Sequence, residues 1–74
     1  MFTTKTAMLY IRDHYAPMIE ADSIETAHKM KMVASTYVSA WMLSGPLGNE
    51  ETEVLYKEIE AVYSAVTDKL IVKY

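Results

Sequence analysis

Cysteine is absent from the 74 residues. Disulfides, thiolate metal sites and cysteine nucleophiles are therefore excluded, and so short a chain must be held by packing or by association with another chain. The lack of cysteine suits a reducing compartment, so a cytoplasmic protein is expected. Glycine and proline are scarce, with two of each: Pro17, Gly45, Pro46 and Gly48. The stretch "GPLGN" has neither the lysine nor the spacing of a phosphate-binding loop. Basic charge is also sparse. Seven Lys and Arg stand against ten Asp and Glu, for a net charge of −3, and Arg12 is the single arginine. A nucleic-acid binder needs a basic face to neutralise phosphates, so direct nucleic-acid binding is not expected. The opening "MFTTKTAMLYIRDHY" has no basic segment followed by an apolar core, so no secretory leader is expected.

One absence is local. No charge occurs in the 18 positions between Lys31 and Glu50. A membrane span needs about 20 predominantly apolar residues. This run is shorter and is interrupted by Ser35, Thr36, Ser39 and Ser44, so no membrane role is expected. Either the stretch is wrapped on every side, or it is a surface to be covered by something else.

What is abundant is apolar contact area. Hydrophobic residues make up 51% of the chain, with six Tyr and six Met. Tyrosine carries large area with a polar tip, and methionine fills irregular gaps. The net negative charge falls on the C-terminal third, where Glu50, Glu51, Glu53, Glu58 and Glu60 crowd together with Lys57 between them.

The hydrophobic spacing predicts an all-α fold in a single domain, residues 1–74. A first helix is expected over about 4–16, with Met8, Ile11 and Tyr15 on one face and Thr3 or Thr4 as cap. Pro17 should stop or kink it near Ala16. A second helix is expected over about 23–44. Its start is marked by Asp22 paired with Glu25 in a capping box, or by Ser23 one residue on. Its face is Ala27, Met30, Ala34, Tyr37, Trp41 and Ser44, and its end is Gly45 in the left-handed conformation followed by Pro46. A third helix is expected over about 50–72, capped by Asn49, with Leu55, Ile59, Val62, Val66 and Leu70 as its apolar stripe. Four residues, "GPLG", join the last two helices, which therefore form an antiparallel hairpin. The shorter N-terminal helix packs across it, giving a three-helix, bundle-like architecture.

Candidate chemistry is thin. His14 follows Asp13, but adjacent helical residues point apart. Glu25 and His28 have the Glu-x-x-His spacing of bundle metal sites. One copy is insufficient, however, and capping by Glu25 with a solvated His28 accounts for both residues. No catalytic, cofactor-binding or metal-ligating set is expected, and the protein is expected not to be an enzyme.

The remaining candidates concern contact. A helix apolar all round is covered on more than one side, and two short neighbours leave part of the second helix over. Its candidate interface is Met32, Thr36, Tyr37, Ser39, Trp41, Met42 and Leu43, of which Tyr37 and Trp41 are types enriched in binding hot spots. The reading is a non-enzymatic protein-interaction module, self-associating through the second helix, with a homodimer favoured. It would act as inhibitor, adaptor or assembly factor on a larger protein, the role of small accessory proteins of the phage type. The alternative is an acidic decoy in which Glu50, Glu53 and Glu60 compete for a nucleic-acid-binding site on a partner protein.

Overall fold

The computed structural model describes residues 3–72. Its elements, in chain order, are α1 (Thr4–Arg12), α2 (Tyr15–Ile19), α3 (Ile24–Ser44) and α4 (Asn49–Val72). The two long helices form the antiparallel hairpin: Ser39 faces Tyr56 and Lys31 faces Glu60. The α1–α2 arm packs on one side of it.

The first helix does not run to Ala16 as its sequence suggests. It ends at Arg12, and a second short helix begins at Tyr15. The reason lies in Pro17. A proline withholds the N–H that would pair with the carbonyl four residues earlier, and its ring clashes with that carbonyl. That carbonyl belongs to Asp13, so the break falls upstream of the proline, at Asp13 and His14. There the His14 N–H turns to the Ile11 carbonyl at 2.9 Å. Pro17 itself sits in the first turn of α2, where no intrahelical donor is needed. The bend carries Met18 into the core, fully buried.

The capping expectations resolve by geometry. Thr3 caps α1 by accepting from the Thr6 N–H at 3.2 Å. Ser23 caps α3 by accepting from the Thr26 N–H at 3.1 Å, so the Asp22–Glu25 box does not form. Asn49 is not the cap of α4 but its first residue; the Gly48 N–H before it donates to Glu51 Oε1 at 3.0 Å. This is one half of a capping box. At the end of α3, Gly45 takes φ 105°, and its N–H reaches the Trp41 and Met42 carbonyls.

The main core gathers Ala7 and Ile11 of α1, Met18 of α2, Ala34 and Val38 of α3, Leu47 of the loop, and Leu55 and Ile59 of α4. A smaller cluster of Ala27, Val66 and Leu70 closes the far end of the hairpin. Four of the five residues of the expected α4 stripe are buried, and Val62 is half-buried. Thr52, one turn before Leu55, is buried with them.

An L-residue in the left-handed region is strained by roughly 1–2 kcal/mol. Gly45→Ala is therefore expected to lower stability by about that amount without changing the fold. Chemical denaturation checks this, and an unchanged midpoint would contradict the assignment of Gly45 as a conformational cap.

Candidate protein-interaction surface

The uncharged stretch is neither wholly wrapped nor wholly exposed. Ala34 and Val38 face the core, and Tyr37 and Trp41 pack against it half-buried. Met32, Val33, Thr36, Ala40, Met42, Leu43 and Ser44 remain exposed. Met32 is 58% and Leu43 83% exposed. Residues 32, 36 and 43, at helical intervals of four and seven, share one ridge. The ridge separates two shallow grooves. One, of about 520 Å³, is lined by Lys29, Met32, Val33, Thr36 and Tyr37. The other, of about 380 Å³, is lined by His28, Lys31, Met32, Ser35, Thr36 and Ser39.

Two hydroxyls on the exposed part of this helix bond within it. Thr36 Oγ1 donates to the Met32 carbonyl at 2.8 Å, and Ser44 Oγ to the Ala40 carbonyl at 2.9 Å. Such bonding to the preceding turn lets the ridge be covered without stranding a polar group.

The candidate interface therefore divides. Met32, Thr36 and Leu43 form the ridge. Tyr37 and Trp41 lie toward α1, where each meets the Tyr10 ring in an edge-to-face arrangement, with centroids 5.6 and 5.9 Å apart. His14 completes this cluster, 4.4 Å from Tyr37 and 5.0 Å from Tyr10, with Nδ1 2.9 Å from the Tyr10 carbonyl. Ser39 lies on the other side and shares a 2.6 Å hydrogen bond with the Tyr56 hydroxyl. Met42, seven residues from Ser35, follows that side too. Neither Tyr10 nor His14 belongs to the interface that the sequence predicts. Their spacing of four residues is visible in the chain, but their meeting with Tyr37 and Trp41 depends on how the arm docks.

The arm is fixed by a polar contact that sequence spacing does not reveal. Arg12 forks onto Glu58, with Nε to Oε1 at 3.0 Å and Nη2 to Oε2 at 2.7 Å. The Tyr15 hydroxyl donates to Glu58 Oε1 at 3.0 Å. The Arg12 hydrogen bonds hold the Glu58 carboxyl below its ordinary value, against the opposing effect of partial burial. The Tyr15 phenol is pushed up, first by burial and then by its bond to Glu58. At the loop end, Thr4 Oγ1 donates to the Pro46 carbonyl at 2.5 Å.

Two of the three acidic candidates are already engaged. Glu53 pairs with Lys57 at 3.1 Å, and Glu60 with Lys31 at 2.8 Å. Lys31 Nζ also stands 4.6 Å from the Tyr63 ring centroid. Glu50 is exposed and makes no ion pair among the described residues. His28 is exposed, with its ring 6.1 Å from that of Tyr63. Among the described residues, no group of three or more His, Cys, Asp or Glu is placed to hold a metal ion. Nor is any helix long and apolar enough to cross a membrane.

No family model matches the chain, and neither does any curated protein or solved structure.

Glu58 is more acidic in the folded chain than in the unfolded one. Its contribution to stability is therefore complete above the ordinary carboxylate range and is lost as pH falls through the lowered folded value. Glu58→Gln is expected to be less stable than the parent at pH 7, with the difference shrinking as pH is lowered toward 3. Urea midpoints across that range read the effect. A gap that stays constant would show that the Arg12–Glu58 contact does not govern it.

Proposed function

We propose that the chain is a non-enzymatic protein-interaction module. It acts in the cytoplasm as a small accessory protein, an inhibitor, adaptor or assembly factor on a larger protein, and associates with itself through α3. The observation that carries this reading is the charge-free ridge of Met32, Thr36 and Leu43, left in water by a chain with few residues to spare. Scattered apolar residues at a surface need no explanation. Here, though, the exposed residues are aligned on one helix, the Thr36 and Ser44 hydroxyls among them are bonded to the preceding turn, and half-buried Tyr37 and Trp41 lie on their flank. Aromatic anchors beside aliphatic contacts are the composition of an interface centre.

The phage-type comparison is one of size and composition: a short chain, rich in Tyr and Met, that works by occupying a larger protein's surface. The acidic-decoy alternative has less support, because Lys57 and Lys31 sit on Glu53 and Glu60.

Sedimentation over a concentration series tests the proposal. The parent chain is expected to associate, and the double variant Met32→Glu, Leu43→Glu to remain a monomer with unchanged helical content, because both positions are exposed. A parent that stays monomeric at high concentration, or a variant that associates as strongly as the parent, would overturn self-association through α3.

A further inference from the structure

The N-terminal arm has two parts that are unequally attached. α2, though short, lies against both long helices and leads into α3 through residues 20–23. Its Met18 is fully buried, and its half-buried Tyr15 packs on the main core. α1 lies mainly along α3, and its buried residues are Ala7 and Ile11 alone. Its other attachments are at the surface. The Thr4 hydroxyl meets the Pro46 carbonyl at the loop end, the Tyr10 ring meets Tyr37 and Trp41, and Arg12 forks onto Glu58 at the far end. Between the two parts the backbone ladder is broken. The His14 N–H reaches the Ile11 carbonyl, and among the described residues no backbone hydrogen bond runs from α2 to α1. We infer that α1 is a lid: it opens as one body about Asp13 and His14, while α2 stays docked on the hairpin.

An isolated helix shorter than about 12–15 residues is marginal in water, and α1 has nine. Once undocked, it therefore regains the backbone freedom of all its residues. Against that gain stand one large buried side chain, Ile11, and contacts made in water, where ion pairs hold weakly. The hairpin is held far more firmly, by Val38, Leu55, Ile59, Val66 and Leu70, all buried. A hinge needs a few element-terminal residues to absorb the change of direction. Asp13 and His14 already lie outside both helices, because Pro17 denies the chain a continuous ladder there. Opening carries Tyr10 away from Tyr37 and Trp41, and Ile11 away from the core. The apolar surface of α3 is therefore wider in the open state than in the closed one. The inference concerns α1 alone and does not rest on the self-association proposed above.

Native-state amide exchange on the full chain tests the lid, because a local opening releases its amides without the global transition. The amides of residues 7–12 are expected to share one protection, at least about tenfold lower than that of Leu55 and Ile59 and unchanged in low urea. The Glu20 amide, bonded to the Ala16 carbonyl at 2.9 Å, is expected to be more protected than residues 7–12. Removing a latch should speed exchange in α1 alone, by up to about fivefold. Arg12→Ala releases one end and Thr4→Val the other, and both positions are exposed, so the fold survives either change. Residues 7–12 that share the protection and urea dependence of Leu55 would overturn the lid. So would a Glu20 amide that exchanges together with them, which moves the hinge beyond α2. Protection that rises smoothly from residue 7 to residue 12 would overturn it too, since that is fraying and not the opening of one body.

Discussion

A helix in a bundle of three packed segments has neighbours on two sides and water on the third. α3 must satisfy that constraint with a sequence that offers apolar or small side chains all round its C-terminal half. One side is taken by α4 and the core through Ala34 and Val38, and another by the arm through Tyr37 and Trp41. The third side is left to Met32, Thr36 and Leu43. The exposure of Leu43 is thus the remainder after the available neighbours have been placed. The loop cannot help. Gly45 turns the chain sharply, and Leu47 goes inward to the core rather than back over the helix.

The arm determines how large that remainder is. Had the first helix continued straight through Asp13, Met18 would not turn in at the position it now holds. Pro17 forces the change of direction, and buried Ile11 and Met18 seat the two halves. Full burial of such side chains contributes about 1.5–3 kcal/mol each. The Arg12–Glu58 pair, with both side chains about a third or more exposed, adds much less, since exposed ion pairs contribute about 0–1 kcal/mol. Its role is orientation. A forked contact accepts few geometries, and this one, with Tyr15 on the same carboxylate, fixes the arm so that Tyr10 reaches Tyr37 and Trp41. The apolar residues supply the attachment, and the polar triad sets its register.

Much of this architecture is legible in the residues. The α4 stripe is regular in spacing, and the stop at Gly45–Pro46 is written in two adjacent residues whose conformational demands are strong. The hairpin follows from a short loop between two long periodic segments. The break in the N-terminal arm is harder to place, because proline acts on a carbonyl four residues away and the eye stops at the proline itself. Asn49 misleads in a similar way. Both Gly48 and Asn49 are capping types, and the choice turns on the Glu51 side chain reaching back to the Gly48 N–H. At the candidate surface, helical spacing finds the ridge but assigns Ser39 and Met42 to it as well. Which side of α3 a residue serves is decided by where α4 and the arm lie. The cluster of Tyr10, His14, Tyr37 and Trp41 and the Arg12–Glu58 pair join residues more than twenty positions apart, and no local pattern carries that information.

The energetics link the ridge to the stability of the whole. A core in a chain of this length rarely contributes more than about 3–5 kcal/mol of net stability. Met32 and Leu43 together hold apolar area of the same order, at about 1.5–3 kcal/mol for each side chain fully covered. A protein surface that covers them gains at most that amount, reduced by the cover the two side chains already have and by the entropy lost on association. Binding restricted to the folded state raises apparent stability with the concentration of the bound species. On the self-association proposed above, that species is the chain itself, and folding and assembly are then parts of one equilibrium. A substitution on the ridge and one in the core then act on the same free energy, the first only when a second surface is present and the second always.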